Sequence, residues 1–172
     1  MLNIFKNYQM AFNLDNTIKQ YVDDATDVNT ITSFIDHCTN NLPYGKILVI
    51  HGTGNNGKST FINKLEKCPG LKISYDTNIH HLLTTRGLSY HIQNESNLVV
   101  IEDSDDVQRN LTAYELNTLQ NILIHGHVQY RQLYKEAKQA NAKFNLIFVT
   151  CRPNLLEHLA NFTQLVAFPK TF

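Results

Sequence analysis

Gly52, Gly57, Lys58 and Ser59 stand at the spacing G-x-x-x-x-G-K-[ST], inside the stretch KILVIHGTGNNGKSTFINKL that runs from Lys46 to Leu65. These residue types at this spacing suit the holding of a phosphate chain. Glycines at 52, 54 and 57 let the backbone turn its N–H groups toward phosphate oxygens, where a Cβ atom would obstruct the approach. A helix beginning near Lys58 adds the positive end of its dipole and its unpaired N–H groups, and the Lys58 ammonium reaches the β- and γ-phosphates. The Ser59 hydroxyl is then a ligand for Mg²⁺. The candidate nucleotide-binding residues are therefore Gly52, Thr53, Gly54, Asn55, Asn56, Gly57, Lys58, Ser59 and Thr60, with ATP and Mg²⁺ as the expected ligands.

Two further stretches bring polar side chains to the ends of apolar runs. Leu98, Val99, Val100 and Ile101 deliver Glu102 and Asp103. Beside a phosphate loop, one carboxylate can hold the metal and its water shell while the other polarises an attacking water. Glu102 is assigned to the metal and Asp103 to the water, and the reverse assignment stays open; Asp105 and Asp106 read as solvated loop charges. Leu146, Ile147, Phe148 and Val149 lead to Thr150, Cys151, Arg152, Pro153 and Asn154, where a polar side chain would lie beside the γ-phosphate. Lys58 and Asp103 are the expected catalytic residues, with Thr150, Arg152 and Asn154 as polar candidates at this strand end.

The elements that must position these residues can be read from periodicity. Ile47 to Ile50, the run at 98–101 and the run at 146–149 are apolar on both faces, as strands of a covered parallel sheet are. Leu71, Ile73 and Tyr75 alternate as a short edge strand, and Gln164 to Phe168 form a fifth strand. Helical spacing marks Leu14 to Val22, a helix from Asp27 or Asn29 to Asn41 that covers one edge of the sheet, and one from Lys58 to Leu65. A small helix is expected between Thr77 and Gly87, and another over Leu155 to Leu159. Thr112 and Glu115 form the S/T-x-x-E capping box of a helix that ends at Gly126. Between that helix and the strand at 146, the alternation of Val128, Tyr130, Gln132 and Tyr134 against Arg131, Leu133 and Lys135 predicts a projecting hairpin with a cationic tip. Charge alone leaves that tip equally readable as a solvated surface hairpin or a nucleic-acid contact. The result is an α/β fold, a five-stranded parallel sheet flanked by helices with a β-hairpin inserted before the strand at 146. Residues 1–27 form a polar, partly helical extension and 28–172 the nucleotide-binding domain.

The 172 residues carry 15 Lys plus Arg and 15 Asp plus Glu, so contact with a polyanion must come from a local patch rather than from net charge. Three separated cysteines, Cys38, Cys68 and Cys151, suggest a reducing compartment. His80-His81 and His125-x-His127 lack partner ligands at zinc spacing. No apolar run approaches a membrane span and MLNIFKNYQM is no signal peptide, which predicts a soluble intracellular protein without a membrane partner.

The order of parts resembles the ATPase core of viral superfamily 3 helicases, a branch of the AAA+ family, and especially the primase-helicases of the poxvirus type. GTGNNGKSTF is similar to that group's phosphate loop and LVVIED to its second acidic motif. YRQLYKEAKQANAKFNLIFVT resembles its Arg-x-Leu-Tyr-Lys hairpin running into the sensor strand, and QLVAFPKTF its closing strand; the likeness covers about residues 28–172. The resemblance implies an AAA+-like P-loop ATPase acting on nucleic acid in viral genome replication. It implies single-stranded DNA as partner, met by Arg131, Lys135 and Lys138, and assembly into a hexamer-like ring. It also places the protein in the host cytoplasm or nucleus. Two positions depart from the pattern. Cys151 stands where the family has Asn at the end of the sensor strand, and Asn161 to Gln164 offers no arginine before the closing strand, leaving Arg152 as the local candidate. A missing arginine finger removes about 10³-fold or more in rate, so a regulator that binds nucleotide without turnover stays open as an alternative. A nucleoside or nucleotide kinase is the further rival, although its usual arginine-rich lid has no counterpart among the scattered Arg86, Arg109, Arg131 and Arg152.

Overall fold

The computed structural model describes residues 12–102, 110–131 and 137–169, without the side chains of residues 130, 131, 137, 138, 154–156 and 158. Five parallel strands form the central sheet: β1 (Ile47–His51), β2 (Ile73–Asp76), β3 (Leu98–Glu102), β6 (Asn145–Thr150) and β7 (Thr163–Ala167), in the spatial order β2-β3-β6-β1-β7. The two intervening strands, β4 (His127–Arg131) and β5 (Ala137–Asn141), pair antiparallel as the expected hairpin. Its tip, with Lys135, lies outside the described residues.

The apolar runs divide their side chains between two cores, because successive residues of a strand point to opposite faces. Leu48, Ile50, Leu98, Val100, Ile147, Val149 and Val166 pack on one face beneath α1 (Leu14–Lys19), α2 (Ala25–Thr39) and α3 (Lys58–Leu65). Ile47, Val49, Val99, Ile101, Leu146 and Phe148 pack on the other. That second face is covered by α4 (Ile79–Leu82), α5 (Thr85–Gln93), α6 (Ala113–Gln120), the hairpin base and a 3₁₀ segment over Pro153–Phe162. Ile18, Tyr21 and Val22, from the amino-terminal stretch, join the first core.

Several expected elements shift. The second helix opens at Ala25, ahead of the Asp27 or Asn29 that its apolar spacing suggests, because the Asp24 carboxylate accepts from the N–H groups of Thr26 and Asp27 and caps it. It lies on the face above β1 and β7, with Gln164 on edge strand β7 donating to Thr30. The small helix expected up to Gly87 is two helices, and Gly87 lies inside the second, with its N–H donated to the Thr84 capping hydroxyl. A Cβ there would stand 2.3 Å from the His81 carbonyl oxygen and 2.8 Å from that of Leu82, so the glycine serves close packing of α4 on α5. The helix opened by the Thr112–Glu115 capping box widens into a π turn over Asn121–His125 before Gly126 ends it in the left-handed region. The segment after β6 is 3₁₀ rather than α-helical.

Buried asparagines fasten the amino ends of the strands. Asn97 accepts from the Lys72 N–H and donates to the Gly70 carbonyl, while Asn145 accepts from the Tyr44 N–H and donates to the Leu42 carbonyl. At the carboxyl ends, the chain leaves β1 for α3 on one face, and β6 for the 3₁₀ segment on the other. Neighbouring strands whose connections part in this way leave a crevice between them, the usual ligand position in an open α/β sheet.

Candidate functional site

A cleft of about 410 Å³ occupies that crevice, lined by Gly54 to Thr60, Glu102, Val149, Thr150 and Cys151. The glycine-rich stretch therefore meets the ends of β3 and β6, the three segments that the sequence singles out. Gly57 has φ 76°, a left-handed position that suits glycine, and it stands at the N-cap of α3. The other α-helices are capped by side chains, those of Asn13, Asp24, Asn78, Thr84 and Thr112. No side chain caps α3, so its first N–H groups face the cleft end without a competing cap.

Lys58 is 8% exposed and its ammonium sits inside the loop. It donates to the carbonyl oxygens of Gly52 and Thr53, both at 3.1 Å, and to Asn56 Oδ1 at 2.8 Å, with Cys151 Sγ at 3.4 Å. The amide nitrogen of Asn56 donates to the Phe168 carbonyl at 2.8 Å. Gly52 is required for this internal packing, since a Cβ there would stand 1.9 Å from Asn56 Nδ2. Gly54, by contrast, opens on free space, with nothing within 4 Å of an added Cβ. His51, at the end of β1, is half-buried; burial lowers its pKa, Asp27 opposes the shift and the charge of Lys58 adds to it.

Ser59 and Glu102 line the same cleft and present a hydroxyl and a carboxylate, hard oxygen donors that fit Mg²⁺ better than a soft-ligand metal. Glu102 is exposed at the end of β3 and also acts on Tyr75, whose hydroxyl pKa rises to about 12 through burial, its bond to Glu66 and the charges of Glu66 and Glu102. Thr150 is buried, lines the cleft and accepts from the Arg152 N–H at 2.8 Å. Arg152 is exposed and is not among the cleft-lining residues. Asp103 lies outside the described residues, as do the side chains of Asn154, Arg131 and Lys138. The backbone places Arg131 at the end of β4, opposite Ala137 and one pair from the Tyr130–Lys138 pair, so those two cations belong to the hairpin's outer half.

Sequence spacing missed two features. Cys151 enters the lysine's surroundings, a proximity that only the β1–β6 pairing of His51 with Thr150 creates. The other is a buried chain at the β2 edge: Ser74 Oγ lies 2.7 Å from His91 Nδ1, and His91 Nε2 lies 2.9 Å from Asp76 Oδ2. His81 Nδ1 lies 2.7 Å from the other Asp76 oxygen. Two histidine contacts and the Thr77 N–H outweigh the cost of burying Asp76 and hold its carboxyl below the ordinary value. The types are those of a nucleophilic triad, but His91 is fully buried and Ser74 is not among the residues lining the cleft, so the chain reads as a fastening of β2 to α5.

The fold and site define an α/β protein with a glycine-rich loop, a buried lysine and a carboxylate around one cleft at the carboxyl edge of a parallel sheet. Residues 50–159, more than half of the chain, match the family of unknown function DUF5906, and the chain belongs to that family. No curated protein matches it. Among the described residues, no helix is long and apolar enough to cross a membrane.

Proposed function

We propose that the chain is a nucleotide-binding ATPase core of the superfamily 3 helicase type, an AAA+-like P-loop fold that takes Mg-ATP and acts on nucleic acid. One observation carries the reading: the Lys58 ammonium, the uncapped start of α3, Ser59 and Glu102 all meet in one cleft at the carboxyl edge of the sheet. The uncapped N–H groups and Lys58 would take phosphate oxygens, while Ser59 and Glu102 would hold Mg²⁺. When bound, magnesium would supply charge neutralisation to the phosphates. Thr150, at the end of β6, would orient polar groups near the terminal phosphate. The hairpin, with Arg131, Lys135 and Lys138, would meet single-stranded DNA, and assembly into a ring would bring a neighbour's residues to each cleft.

A second reading, a regulator that binds nucleotide without turning it over, is favoured by Cys151 beside Lys58 and by the lack of an arginine among the described residues that line the cleft. Thiols are weak partners for an attacking water, and among the described residues Lys58 is the one cation lining the cleft, with no arginine finger beside it. Phosphate release measured against protein concentration, with and without single-stranded DNA, separates the two. A steep rise with concentration that DNA enhances supports the assembling ATPase. A flat zero in a protein that Mg-ATP stabilises against heat overturns turnover and leaves the regulator.

A further inference from the structure

Asn56 is 1% exposed and ties together two parts of the chain that are 112 residues apart. Its side-chain oxygen accepts from the Lys58 ammonium at 2.8 Å, and its nitrogen donates to the Phe168 carbonyl at 2.8 Å. The arrangement is sterically closed, because any side chain at position 52 would stand 1.9 Å from the Asn56 nitrogen and 2.6 Å from the Phe168 oxygen. Phe168 is itself fixed: its ring stacks on Tyr21 at 5.6 Å and meets Phe61 of α3 edge-on at 5.3 Å, and its N–H donates to the His51 carbonyl at 2.7 Å. The glycine-rich loop, the exit of β1 and the exit of β7 therefore converge on one amide.

Lys58 has three ammonium protons facing four acceptors, and Asn56 Oδ1 is the nearest of them. An anionic oxygen that accepts a hydrogen bond from the Lys58 ammonium must displace one of these partners, since charge-assisted bonds to phosphate are the stronger. Resting on the nucleotide reading above, we propose that Asn56 is a positioning residue that couples occupancy of the loop by a phosphate-chain ligand to the anchoring of the chain at Phe168. Its oxygen holds the ammonium where a phosphate can reach it, and its nitrogen sets that oxygen by gripping the end of β7. By linkage, a ligand bound through Lys58 steadies the Phe168 anchor, and loss of the anchor weakens the ligand by the same factor.

Asn56→Asp is the discriminating variant. It keeps the size and an oxygen for Lys58, replaces the donor to Phe168 by an acceptor, and sets a negative charge in competition with phosphate for the ammonium. In the wild type, Mg-ATP is expected to slow amide exchange at Ala167 and Phe168. In Asn56→Asp, Mg-ATP affinity by calorimetry is expected to fall at least tenfold and that exchange response to vanish. Gly52→Ala, which expels the Asn56 side chain from its place, is expected to do the same, and the wild-type exchange response needs no variant to fold. Exchange at Phe168 indifferent to Mg-ATP in a wild type that binds it overturns the coupling, as does Asn56→Asp binding with wild-type affinity. A wild type that binds no Mg-ATP overturns the nucleotide reading and the coupling with it.

Discussion

At the scale of single residues, the carboxylate of Asp76 is the most consequential group outside the cleft. Its side chain is 2% exposed and bonded on both oxygens, to His81 and His91. Because its folded pKa lies below the unfolded value, it binds fewer protons when folded; its contribution is complete above about pH 4 and is lost as pH falls through the folded pKa. Asp76→Asn is expected to cost about 2 kcal/mol at neutral pH, the scale of a charged hydrogen bond, and to flatten the acid limb of stability. Urea unfolding of both proteins from neutral pH down to about pH 3 checks this; parallel curves would refute it. His51 acts with the same sign in a higher pH range. Its pKa is depressed by burial, so the unfolded chain takes up its proton first, and acidification through the usual histidine range works against the fold there.

At the scale of elements, the packing of α4 on α5 tests the local account. Gly87→Ala places a methyl group 2.3 Å from a carbonyl oxygen, and overpacking of this kind is expected to cost about 1–3 kcal/mol, despite alanine's better helix propensity. Thr112→Ala, which removes the capping hydroxyl of α6, is expected to cost about 1 kcal/mol. Thermal unfolding of the two variants checks both signs, and a stabilised Gly87→Ala would contradict the close approach. These elements also show what was legible beforehand. The runs at 47–50, 98–101 and 146–149 announced buried strands because both cores take alternate residues from each, and the Thr112–Glu115 box announced a helix through local bonds alone. Gly87 misled, because the closeness of His81 and Leu82 is a packing fact with no local signature. The start of α2 moved for a related reason, since Asp24 caps it without carrying any apolar periodicity.

At the scale of the whole molecule, the cleft exists because the chain leaves β1 and β6 toward opposite faces, which brings residues 54–60, 102 and 149–151 to one edge. The glycine-lysine-serine spacing was readable because its geometry is local. The Cys151 approach and the Asn56–Phe168 bond were not, because they depend on β6 and β7 flanking β1. The proposed function requires that this edge hold a magnesium nucleotide through Lys58. Calorimetric titration of the wild type and of Lys58→Ala with Mg-ATP tests it most directly. Saturable binding to one site per chain in the wild type, weakened at least tenfold in Lys58→Ala, is the predicted result; no binding by the folded wild type, or equal binding by both, would contradict it.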